Sequence, residues 1–296
     1  MKILVIGGTR FFGIHMIREL LRHGHEVTIA TRGHAEDEFG DRVNRLMMDA
    51  ADAGSVKAAL EGTFYDVVID KVAYSSADIR RICDVIRCRK FIHMSSTAVY
   101  DPLHMDTCET DYDPFKHELV WLERADADYD EGKRQAEAAL AQQYDVLNWT
   151  AVRYPFVVGT DDYTGRLKFY ADHVRRKIPM HIDDIDMQMG LIRSDEAGKF
   201  MAFLAESDLQ GPVNGCATGT ISIREILDYI SRKTGKKPVL SEAGDEAPYN
   251  GLEEDYSINT QKAQEAGYHF SSLKDWIYEL LDELVMEKNE KRKCEV

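Results

Sequence analysis

Tyr129 and Lys133 stand four residues apart in YDEGKRQAEAALAQQY, a run of good helix formers, so one turn separates them on a shared face. A phenol, with an ordinary pKa near ~10, can exchange a proton at neutral pH when a neighbouring cation stabilises its phenolate. The pair suits the proton half of a reaction that oxidises an alcohol or reduces a carbonyl, the other half being hydride transfer to or from a nicotinamide. Tyr112 and Lys116 share the spacing in YDPFK, but Pro114 between them lacks the amide a helix interior needs, so that segment reads as loop. Hydroxyls to align a substrate oxygen are available in FIHMSSTAVY, at the end of the preceding apolar run.

A second constellation opens the chain. ILVI is followed at once by Gly7, Gly8, Thr9, Arg10, Phe11, Phe12 and Gly13, and then by residues of helical period. Glycines at a strand-to-helix turn permit positive φ and bring backbone amides within reach of a pyrophosphate, while the last one lets helix and strand pack closely.

The elements that must position these groups alternate regularly. KILVI (2–6), HEVTIA (25–30), DVVID (66–70), KFIHMS (90–95) and NWTAVR (148–153) read as strands. Helices are expected near 13–23, 53–61, 76–88 and 128–144. Strands separated by helices in this rhythm give parallel βαβ units, an α/β doubly wound parallel sheet of Rossmann type. The expected division is a dinucleotide-binding domain at 1–159 and a smaller C-terminal α/β lobe at 160–296, with segments near 186–216 returning to the first. ISIREILDYISRKTG and SLKDWIYELLDELV read as peripheral helices of the lobe, and the charged end EKNEKRKCEV as frayed.

Composition narrows the function classes. The 296 residues are 44% apolar, as in ordinary globular proteins, and no apolar run approaches the roughly 20 residues of a membrane helix. No secretory signal is evident, and a cytoplasmic location is expected. With 37 basic against 52 acidic residues the net charge is −15, which opposes nucleic acid but not a small anion held by local amides. Five scattered cysteines (Cys83, Cys88, Cys108, Cys216, Cys294) suggest neither a disulfide framework nor zinc. His173 and His181, near HIDDID, lack a regular ligand spacing, and no metal is expected.

GGTRFFG resembles the GGxGFxG turn of the extended short-chain dehydrogenase/reductases, the NAD(P)-dependent epimerase/dehydratase family. With Arg10 at the middle glycine it is similar to the subgroup containing the chloroplast stem-loop-binding proteins. Arg10 then contacts the pyrophosphate or an adenosine 2′-phosphate. The resemblance implies that the Tyr129 helix reads YxxxKxxxE, matched through Glu137, and that Ser96, three residues before Val99 in SSTAVY, completes the catalytic set, with Ser95 and Thr97 as alternatives. It places Asp49 and Ala50 at the adenine and Ala73 on the adenosine side. Tyr154, Pro155 and Phe156, in VRYPFVVG, fall beside the nicotinamide. NAD-specific relatives carry an acid after the second strand, whereas this chain has Thr31 and Arg32, so NADP is favoured over NAD.

The implied function is oxidoreductase or epimerase action on a small polar substrate, for which nucleotide sugars are candidates. In that scheme Lys133 holds the nicotinamide ribose and lowers the Tyr129 pKa. A homodimer through the helices near 76–88 and 128–144 is expected by family habit. The alternative is a non-catalytic NADP sensor or RNA-associated protein, against which stand the retained Ser96, Tyr129 and Lys133 and the charge.

Overall fold

The computed structural model describes residues 1–34, 37–250 and 254–286, so Cys294 and the charged end lie outside the described residues. The chain begins with β1 (Lys2–Ile6), α1 (Phe12–Arg22), β2 (Glu26–Thr31), β3 (Asn44–Met47), α2 (Ala53–Leu60), β4 (Phe64–Asp70), α3 (Ser76–Cys83), β5 (Arg87–Met94), α4 (Tyr129–Gln143) and β6 (Trp149–Arg153). It continues with β7 (Phe156–Val158), α5 (Arg166–Arg176), β8 (Pro179–His181), β9 (Gln188–Met189), β10 (Leu191–Arg193), α6 (Ser194–Glu206) and β11 (Gly211–Asn214). The rest comprises β12 (Ile221–Ser222), α7 (Ile223–Thr234), β13 (Val239–Leu240), β14 (Asp245–Glu246), α8 (Gln261–Glu265) and α9 (Leu273–Met286).

Seven strands form one sheet in the order β11-β6-β5-β4-β1-β2-β3, with every pairing parallel. Because helices cover both faces, its central strands are buried on both sides: Ile3, Leu4, Val5 and Ile6 are all at or below 1% exposure, which is why β1 is an unbroken apolar run. Strand order reverses between β1 and β4, and the crevice beyond the carboxyl ends at that point is where open α/β sheets take their ligands. On one face α1 packs against α6. Gly198 makes the approach possible, since a β-carbon there would meet the His15 β-carbon at 2.6 Å and the Phe12 carbonyl at 2.7 Å.

The structure departs from the sequence expectation in several places. The edge strand β3 lies outside the sequence expectation: Asn44, Arg45 and Met47 are exposed and Leu46 is half-buried, so no apolar alternation marks it. The helix expected over 76–88 stops at Cys83, and β5 begins at Arg87, so Cys83 and Cys88 occupy different elements. The intervening Val85 and Ile86 are β-branched and better suited to extended chain. Helix α5 lies in the stretch where regular alternation fades, with Leu167, Tyr170, Ala171 and Val174 as its buried stripe.

The face of α3 and α4 expected to pair with a second chain is covered by this chain itself. Residues 112–126 run across it: Ser76 Oγ donates to the Val120 carbonyl, Ala77 N to Leu122 O, and Gln135 Nε2 to Glu118 O. Arg80 lies 4.5 Å from the Trp121 ring centroid. From Gly132 to Ala141 no residue of α4 is exposed.

Candidate active site

Phe11, Phe12, Ser96, Tyr129, Pro155 and Phe156 line one cavity of about 620 Å³ at the carboxyl edge of the sheet. Tyr154 borders it too, but its side chain turns into the core, where its hydroxyl donates to the Ala197 carbonyl at 2.7 Å and its ring sits 5.9 Å from Phe12.

The three candidate hydroxyls beside Tyr129 are separated by their partners. Ser95 is buried and donates to Glu137 Oε1. Thr97 is buried, its amide bonded to the Tyr154 carbonyl. Ser96 faces the cavity that Tyr129 also lines and caps the short turn Thr97–Val99 by accepting from the Ala98 amide at 3.1 Å.

Tyr129 is the first residue of α4, with its side chain reaching the cavity, and Lys133 lies one turn on, fully buried. The Lys133 ammonium donates to Ala73 O at 2.8 Å and Met94 O at 2.7 Å and lies 4.6 Å from the Tyr74 ring centroid. Desolvation pushes its pKa down to about 8. Desolvation raises the Tyr129 pKa above the ordinary phenol value; Ser96 and the Arg166 guanidinium work in the opposite direction. The net shift at Tyr129 is thus upward, not the lowering expected from its lysine.

Glu137 contacts the site only through its neighbours. It is fully buried in a two-point ion pair with Arg153, Nη2 to Oε2 at 2.6 Å and Nε to Oε1 at 3.0 Å. Arg153 also donates to Tyr100 Oη, Glu109 O and Tyr112 O, fastening the long connection after β5 to α4. In that connection Tyr112 donates to Arg134 O and Lys116 pairs with Asp113 at the surface, so the YDPFK spacing forms no pair. The spacing occurs a third time at Tyr229 and Lys233 on α7, where the lysine bonds Asp282.

The glycine turn fits a dinucleotide. Gly7 and Gly8 have φ of 84° and 90°, and Phe11, at φ 55°, holds its ring edge-on to Tyr163. Among the described residues, the amides of residues 8–12 donate to no other group, leaving a row of donors at the start of α1. Thr31 ends β2, its hydroxyl accepting from the Gly33 amide, and Arg32 projects from the surface beside it. Asp49 follows β3 with one oxygen on the Ala51 amide, and Ala50 is half-buried next to it. Ala73 is buried, its amide on Asp70 and its carbonyl on Lys133.

Two groupings outside the cavity, His23–His25–Glu206 and His181–Asp183–Glu246, each bring ligating atoms within 4.8 Å of one another, a proximity the spacing of His181 did not reveal. His173 instead stacks on Phe169 and bonds its carbonyl.

Residues 3–192 match the NAD dependent epimerase/dehydratase family. The chain belongs to that family. Its relatives are the extended short-chain dehydrogenase/reductases. This family member is 27% identical over 206 residues to the chloroplast stem-loop binding protein of 41 kDa b of Arabidopsis thaliana, a match covering 64% of this chain and 50% of that protein; the alignment thus spans about half the length of the relative. In fold it is similar to the UDP-glucose 4-epimerase of Thermus thermophilus in complex with NAD (TM-score 0.68, 18% identity, 96% of this chain and 99% of that one). It is also similar to the Thermotoga maritima UDP-glucose 4-epimerase with UDP-glucose (TM-score 0.73, 17% identity, 95% and 98%). No helix among the described residues is long and apolar enough to cross a membrane.

Proposed function

We propose that this chain is an NADP-preferring epimerase or oxidoreductase acting on a hydroxyl-bearing carbon of a nucleotide-linked sugar, with Ser96, Tyr129 and Lys133 as its catalytic set. The observation that carries the reading is that Ser96 and Tyr129 face one cavity, which Phe11 and Phe12 of the glycine turn also line.

The bound nicotinamide supplies the hydride acceptor or donor. Ser96 aligns the substrate oxygen, and Tyr129 takes the hydroxyl proton as the carbon is oxidised or returns it on reduction. Lys133 anchors the base of the site by its two carbonyl contacts and presents a positive charge beneath it. Nucleotide sugars enter because the two solved epimerases named above act on UDP-glucose. Arg166 is the one cation lining the cavity among the described residues and suits an anionic substrate group. Arg32, with no carboxylate between Thr31 and Gly33, supports NADP. A panel of UDP-sugars, followed both by cofactor absorbance and by the configuration of the product, tests the reading. Turnover without net absorbance change marks an epimerase, a steady change marks a dehydrogenase, and no turnover of any member overturns the substrate class.

A further inference from the structure

Lys71 follows β4, the strand next to β1 at the point where strand order reverses, and its amide donates to the Ile6 carbonyl at 3.1 Å. Its side chain passes beneath the glycine turn. The ammonium lies 3.7 Å from the centroid of the Phe12 ring and 2.7 Å from where a β-carbon on Gly13 would sit, so Gly13 leaves room for this cation as well as for the close approach of Gly8. No described residue gives it a hydrogen bond or an ion pair. The acid that acts on it, Asp161, has its oxygens held by His15 Nε2 at 3.0 Å and Ser194 Oγ at 2.6 Å. A cation resting on an aromatic face still wants an anion on its other side. The unpaired amides of residues 8–12 want one at the same turn.

We propose that Lys71 is a pyrophosphate ligand of the dinucleotide, closing the phosphate site from below while the turn amides close it from above. This rests on the dinucleotide-binding reading above. It also accounts for the departure at Arg10, an exposed cation at the outer side of the turn where relatives carry glycine: the anion would be held by cations as well as by amides.

The arrangement couples uptake to a proton. Desolvation pushes the Lys71 pKa down to about 7, against a smaller upward pull from Asp161. The charged and titratable groups around it are His15 on α1, Asp161 in the loop after β7, and the buried Asp70–His93 pair carried by β4 and β5. A phosphate against the ammonium favours its charged form and raises that pKa. Affinity is therefore full below about pH 7 and falls by up to about tenfold per pH unit above it, until the pKa of the complex is reached.

The test is calorimetric titration of the full chain with NADP+, NAD+ and inorganic pyrophosphate, at about pH 6 and about pH 9, in wild type, Lys71→Met and Lys71→Arg. Buffers of different ionisation enthalpy report the proton taken up. Wild type is expected to bind the preferred dinucleotide roughly tenfold or more tightly than Lys71→Met at the lower pH. It is expected to take up a proton above neutrality, which Lys71→Met does not, and Lys71→Arg is expected to bind without the pH dependence. Thermal melting checks that Lys71→Met is folded. If wild type binds and Lys71→Met matches it within about twofold at both pH values, Lys71 is no phosphate ligand and the functional reading stands. If folded wild type binds neither dinucleotide, both fall together.

Discussion

The Lys133 ammonium donates to the Met94 carbonyl at 2.7 Å, joining the first turn of α4 to the end of β5. Through this bond and its partner to Ala73, the loops after β4 and β5 and the helix carrying Tyr129 are held as one rigid floor.

Replacing Lys133 by Met removes that floor's tethers together with its buried charge. Activity is expected to fall by about 100-fold or more. In the wild type the folded-state pKa of about 8 lies below the unfolded value near 10.4, so the unfolded chain binds more protons between those values and stability rises with pH across that window. Lys133→Met is expected to lose up to about 1.4 kcal/mol per pH unit of that slope, read from denaturant midpoints between about pH 8 and 10.

Tyr129→Phe keeps the ring and deletes the proton carrier. Turnover is expected to drop by about 100-fold or more while dinucleotide affinity changes little, since the phenol lies on the substrate side. Unchanged turnover would show that Tyr129 is not the proton carrier.

Glu137→Gln leaves Arg153 charged and fully buried without its carboxylate. A loss of roughly 3–5 kcal/mol in unfolding free energy is expected. The double replacement Glu137→Gln with Arg153→Met is expected to recover part of it, because the stranded charge goes too; urea unfolding of all three proteins checks this.

The covering of α3 and α4 by residues 112–126 has a measurable consequence. Sedimentation at tens of micromolar is expected to show no dimer built on those helices, and Trp121→Ala, which opens the cover beside Arg80, is expected to leave the mass unchanged. A dimer crosslinked through α4 would contradict this.

Much of the fold was legible because its signals were local and repeated: buried strands, helical stripes, and a glycine turn directly after the first strand. What escaped depended on contacts distant in sequence. The resemblance favours Ser96 by its count from Val99, but the physical ground for setting Ser95 aside is that Glu137 claims it from α4. Glu137 itself matched a motif, yet its partner Arg153 lies on the next strand, and only the folded chain shows that the pair also fastens Glu109 and Tyr112. Strand β3 was hidden by its edge position, where exposed NRLM carries no apolar alternation. Lys71 left a usable trace, a cation at the end of the buried run DVVID in an otherwise apolar place. Its meaning came from Phe12 and Gly13, almost sixty residues earlier in the chain.

The central claim is that the opening turn holds a nicotinamide dinucleotide against the Ser96–Tyr129 cavity, and titration of the folded wild-type chain with NADP+ and NAD+ tests it most directly. The account predicts one saturable site per chain, with NADP+ the tighter ligand; folded protein giving no binding heat with either dinucleotide would contradict it.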